Sequence, residues 1–160
     1  MENSILLTRV NYLYGSTLNI LNQLEILNRY SFNYSISDER YYIKNALVTS
    51  VIINTSKIFD GGSATSILRI LSKALNDEDL FRKDYESMIK LKLLYSNIRH
   101  RKIVVDDVFK YRNSLVAHID TYRVENNIEH IECNFDVSTL KSLVGLASES
   151  MYILSNVLNT

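Results

Sequence analysis

The stretch SILLTRVNYLYGSTLNILNQLEILN, residues 4–28, decides the fold class. Leu6, Val10, Leu13, Leu21, Leu24 and Leu27 recur at intervals of three, four and eight residues, the signature of one amphipathic helix with a single apolar stripe. Gly15 interrupts that pattern only slightly. Working outward, the same logic holds along the chain. Proline is absent and only four glycines occur, two of them adjacent at Gly61 and Gly62, so long stretches lack the strongest helix breakers.

A second helix follows SFNYSISD (31–38), whose Ser35 and Asp38 supply cap chemistry, and it runs to Phe59 before DGG ends it. A third is expected over Thr65 to Leu75. NDED (76–79) suits the cap and first turn of a fourth, which carries Leu80, Phe81, Met88 and Leu94. A fifth begins near Val104. After it, TYRVENNIEHIECNFD (121–136) has no helical period and reads as a loop with a short extended segment. The last helix starts at Ser138 as N-cap and turns Leu140, Leu143, Val144, Met151, Leu154 and Val157 inward. No repeat or linker divides these helices and the connections are short. The expectation is an all-α antiparallel bundle of four to six helices forming one domain over residues 1–160.

Hydrophobic residues at 46% and charged residues at 22% match ordinary globular proteins and favour neither a disordered nor a membrane class. No apolar run reaches the roughly 18 residues that span a bilayer. The N-terminus lacks the basic and apolar blocks of a secretory signal, and Cys133 has no second cysteine to pair with, so a cytoplasmic protein is expected. Eighteen basic residues balance eighteen acidic ones, which excludes a globally basic nucleic-acid coat. Any nucleic-acid site must be local.

The fifth helix carries the one polar residue that its pattern does not explain. At about 100° per residue, Val104, Val105, Val108, Phe109, Leu115, Val116 and Ile119 fall in one arc about 140° wide, and Arg112 falls inside it. His118 lies along one border of the arc and Asn113 along the other. A guanidinium cannot shed its proton, and taking it from water without a partner costs several kcal/mol. Two accommodations are open. Either an ion pair or a stem crossing apolar surface satisfies it, or it lines a cleft or subunit interface that receives an anion.

Arg112, followed by Asn113 and after five intervening residues by His118, resembles the motif of the HEPN superfamily, an Arg, four to six residues, then a His. More narrowly, NALVTSVIINTSKIFD (45–60), SILRILSKAL (66–75) and FKYRNSLVAHID (109–120) resemble the HEPN proteins associated with abortive infection, where a helix ending in Phe-Asp precedes the Arg/His helix. The likeness spans about Tyr42 to Asp120. It implies a helical bundle paired about a twofold axis, with the motif helices of a homodimer lining one cleft. It also implies a metal-independent endoribonuclease of toxin or antiphage type, with no cofactor; some members of the superfamily are catalytically silent scaffolds. One position departs from the pattern. Toxins of the superfamily held in check by a nucleotidyltransferase antitoxin carry Tyr two residues after the His, where this chain has Asp120, so that form of control is not carried over. An antitoxin or regulatory protein of another kind remains an open partner.

The residue types suit RNA cleavage. An imidazole with a pKa near ~6.5 takes a proton from a ribose 2′-hydroxyl or gives one to the leaving 5′-oxygen at neutral pH. A preorganised guanidinium stabilises the charge that grows on the phosphate. His118 is therefore the expected general acid/base, Arg112 the phosphate partner and Asn113 an auxiliary donor. Arg112 and His118 lie about 120° apart around the helix and about 9 Å apart along it. Two helices crossing at a dimer axis bring both pairs to one phosphate, which is the reason to expect a homodimer.

Other signals are weaker. Arg99, Arg101 and Lys102, in NIRHRK (97–102), serve either as macrodipole partners or as guides for an RNA backbone. His130, Glu132 and Cys133 lie close together, but without a second cysteine no metal site is expected. The eleven tyrosines mostly fall within helical patterns and read as packing or interface residues, and the glycine pair lacks the context of a phosphate loop. The alternative to an enzyme is a catalytically silent helical dimer that binds a partner.

Overall fold

The computed structural model of the chain describes residues 2–29, 39–122 and 136–160, and no side chains at 2, 3, 78 or 115–122. These residues form six α-helices and one short 3₁₀ turn, with no strand among them. The helices are α1 (Glu2–Arg29), α2 (Glu39–Phe59), α3 (Ile67–Leu75), α4 (Tyr85–His100), α5 (Lys102–Tyr122) and α6 (Val137–Leu158), and the 3₁₀ turn (Glu78–Phe81) lies between α3 and α4. The all-helical class is as the periodicity predicts. The expected cap at Ser35 and Asp38 and the loop at 123–135, with its His130, Glu132 and Cys133, lie outside the described residues.

α6 is the spine. It packs against α1 on one side and α4 on the other, and buries Leu140, Leu143, Val144, Met151, Leu154 and Val157 as its sequence stripe requires. Ala147, Ser148 and Ser150 are buried as well, and such small side chains let neighbouring helices approach from two directions. The Ser150 hydroxyl is satisfied within its own helix, donating to the Leu146 carbonyl at 2.8 Å.

Side-chain pairs set the register. Along α1 and α6, Glu25 meets Lys141, the Tyr14 and Tyr152 rings lie 5.8 Å apart, and Ser155 donates to Asn11 at 2.8 Å. The numbers rise on one helix as they fall on the other, so the pair is antiparallel. α4 is antiparallel to α6 by the same reasoning, through Lys90 with Glu149 at 3.0 Å and Arg101 with Ser142 at 2.7 Å. α2 lies on α1, joined by Gln23 and Ser50 at 3.1 Å, with Asn54 donating to the same hydroxyl at 3.2 Å. Among the described residues α5 packs chiefly on α2 and only slightly on α4, which leaves it at the margin of the described bundle.

Three helix starts differ from expectation. NDED does not cap α4; Leu80 and Phe81 precede the helix on the 3₁₀ turn, Phe81 is buried there, and Asp84 caps α4 by accepting the Ser87 N–H at 3.0 Å. At α6 the cap is Asp136, which accepts the Ser138 N–H at 2.9 Å, so Ser138 is a capped residue and not the cap. α3 begins at Ile67, two residues later than expected, after a turn in which Asp60 Oδ1 accepts the Gly62 N–H at 3.0 Å.

Candidate functional site

α5 runs without a break from Lys102 to Tyr122 and so carries Arg112, Asn113 and His118 on one rigid element. Val105 and Val108 are buried, Val104, Phe109 and Tyr111 are partly buried against the core, and Asn113 and Ser114 are exposed. Arg112 is half-buried at this transition.

The guanidinium of Arg112 is held on two sides. Its central carbon sits 4.8 Å from the centre of the Phe109 ring, one helical turn earlier, where the ring face attracts a cation. Its Nε and Nη2 groups donate to Asn113 Oδ1 at 3.2 and 3.0 Å. A guanidinium has five N–H donors, and the other three find no acceptor among the described residues. No carboxylate among those residues reaches it either: Asp107 pairs with Lys110 at 3.1 Å. Among the described residues, then, no ion pair takes up the guanidinium. The guanidinium itself lies over the Phe109 ring and is oriented there by Asn113.

Asn113 acts in this arrangement as an acceptor toward Arg112, a role that spacing does not reveal because it depends on how the amide is turned. Phe109 was legible only as a core residue, yet it doubles as the platform for the cation. The side chain of His118 lies outside the described residues; its backbone is six positions beyond Arg112 on the same helix, about 9 Å along the axis. Asp120 is likewise described in its backbone alone.

The basic cluster before α5 is dispersed. Arg99 lies 5.7 Å from the Tyr95 ring of its own helix, Arg101 donates to Ser142 on α6, and Lys102 is exposed. Lys102 is ten residues from Arg112, about 15 Å along α5, so one chain does not bring the cluster and Arg112 to one point. Elsewhere, a shallow depression of about 470 Å³ is lined by Leu6, Lys73, Ala74, Asn76, Asp77 and Asp79, none of them on α5. Among the described residues no group of three His, Cys, Asp or Glu side chains is placed to hold a metal ion, and no helix is long and apolar enough to cross a membrane. Comparison of the chain with family models, curated proteins and solved structures finds no match.

Proposed function

We propose that the chain is a HEPN-type endoribonuclease of the toxin or antiphage class that works as a homodimer and needs no metal. The observation that carries this reading is the Arg112 guanidinium, oriented by Phe109 and Asn113 with three donors unclaimed and no carboxylate beside it among the described residues. A half-buried cation without a counter-charge is a cost to the fold that an arriving phosphate offsets. The marginal position of α5 supports the reading too, because a motif helix packed on one main neighbour has surface left for a second copy.

In the proposed reaction the ribose 2′-oxygen attacks the adjacent phosphorus while the bond to the 5′-oxygen breaks, leaving a 2′,3′-cyclic phosphate. His118 of one or both subunits takes the 2′-hydroxyl proton and protonates the departing 5′-oxygen. Arg112 faces the phosphate oxygens as their charge grows. Arg99, Arg101 and Lys102 carry the flanking RNA backbone. The test is to sequence RNA ends from cells expressing the wild type or His118→Ala. Cyclic phosphate ends are expected with the wild type and lost in the variant, which stays folded and dimeric. If purified wild-type dimer leaves every cellular RNA intact, the chain is instead a silent helical dimer that binds a partner.

A further inference from the structure

α4 carries two apolar seams. Leu91, Leu94 and Ile98 are buried in the body of the bundle. Tyr85, Ile89 and Leu93 recur every four residues close to the opposite side of the helix and are 66%, 54% and 62% exposed. Such an i, i+4, i+8 row is the ridge that one helix lays into the groove of another. The exposed seam is also narrow, about 80° of arc, with Glu86 and Asn97 on one flank and Lys92 and Arg99 on the other. That width matches a helix–helix seam, whereas a helix lying in a bilayer surface presents a broader apolar face.

Charge narrows the occupant further. Residues 82–102 hold seven of the chain's Lys and Arg residues against two acidic ones, in a chain that is neutral as a whole. Arg82 is paired with Asp79 and Lys90 with Glu149, but Lys83 and Lys92 are exposed and meet no carboxylate among the described residues. Antiparallel pairing of α4 with a second copy of itself would set Lys92 and Arg99 against their own equivalents, a like-charge arrangement that disfavours self-association. We propose that the outer ridge of α4 docks an acidic amphipathic helix of another protein, whose apolar side chains straddle Ile89 and whose carboxylates face Lys92 and Arg99. This surface is separate from Arg112; it shares Arg99 with the RNA path of the ribonuclease reading but does not depend on that reading.

The test uses the full chain and a fluorescein-labelled 21-residue helical peptide with leucines along one seam and glutamates on both flanks, followed by fluorescence anisotropy. Micromolar binding is expected, weakened at least tenfold by Ile89→Gln with Leu93→Gln, severalfold by Lys92→Glu, and progressively by added salt. All substitutions are at exposed positions, and an unchanged circular dichroism spectrum checks that folding is intact. Absence of binding, equal binding of a peptide with lysines in place of the glutamates, or an unchanged affinity in the double variant overturns the proposal. So does finding that the double variant instead abolishes self-association in sedimentation, binding to phosphatidylserine vesicles, or binding to a 20-nucleotide RNA, which would assign the ridge to a second copy, a lipid surface or nucleic acid.

Discussion

Arg112 gives two of its five N–H groups to a single amide oxygen, and under the ribonuclease reading that choice has a kinetic consequence. If Asn113 orients the guanidinium and does not touch RNA, its effect must pass through Arg112. Arg112→Ala is then expected to lower kcat/KM by at least a hundredfold, as the loss of one preorganised electrostatic partner does. Asn113→Ala should cost about tenfold in the wild type and nothing more in the Arg112→Ala background, so a double-mutant cycle shows strong coupling. Additive losses would mean that Asn113 contacts the phosphate by itself. The anomalous place of Arg112 was legible in the sequence because 3.6-residue periodicity fixes the face of a helix. The direction in which the Asn113 amide turns was not, since it follows from the neighbouring guanidinium. A second residue, Thr55, is fully buried on α2 with no hydrogen-bond partner for its hydroxyl among the described residues. Thr55→Val keeps the shape and the β-branch while removing the unsatisfied group. It is expected to stabilise the fold by about 1 kcal/mol, measured by urea denaturation with an unchanged m-value.

At the scale of the element, the helices were legible and their first residues were not. NDED, Asp84, Asp136 and Ser138 are all competent caps, so local chemistry offers several starts within a few residues. Packing chooses among them: Phe81 is buried ahead of α4, and the helix then begins at the next capable residue, Asp84. The chosen caps leave an electrostatic mark. Hydrogen bonds from Ser87 hold the Asp84 carboxyl below its usual range, and those from Thr139 and Ser138 do the same for Asp136. A carboxyl whose pKa is lower in the folded chain than in the unfolded one contributes its full stabilisation above the unfolded pKa, near ~3.9, and loses it as pH falls through the folded value. Asn also caps helices but does not titrate. The double variant Asp84→Asn with Asp136→Asn should therefore show a Tm slightly below wild type at pH 7 and a shallower fall in Tm below pH 4. Parallel Tm profiles across that window would show that these caps do not set the acid limb.

For the whole molecule, the sequence specified which face of each helix is apolar but not which helix it meets, because period and partner are separate pieces of information. The place of α6 between α1 and α4 comes from long-range packing of its buried face and is marked by pairs such as Glu25 with Lys141 and Lys90 with Glu149, which no local spacing encodes. Its central position makes Leu143, fully buried, a sensitive site. Leu143→Ala is expected to cost about 2–5 kcal/mol and lower Tm by about 5–15 °C in calorimetry. α5 lies at the other extreme. Held mainly by α2, it leaves Asn113 and Ser114 exposed beside Arg112, on the helix that the composite-site reading places at the twofold axis. A bulky side chain at Ser114 should then disturb assembly without disturbing the bundle, since this position is exposed and contributes no buried contact among the described residues. Ser114→Trp is expected to retain the wild-type helical signal within error and a Tm within a few degrees, while sedimentation velocity shows a dimer turned into a monomer. RNA cleavage should fall in proportion to the dimer remaining and recover as protein concentration is raised. A Ser114→Trp protein that is as dimeric and as active as the wild type would place the twofold contact away from α5. Arg112 and His118 of two chains would then have no shared cleft in which to meet.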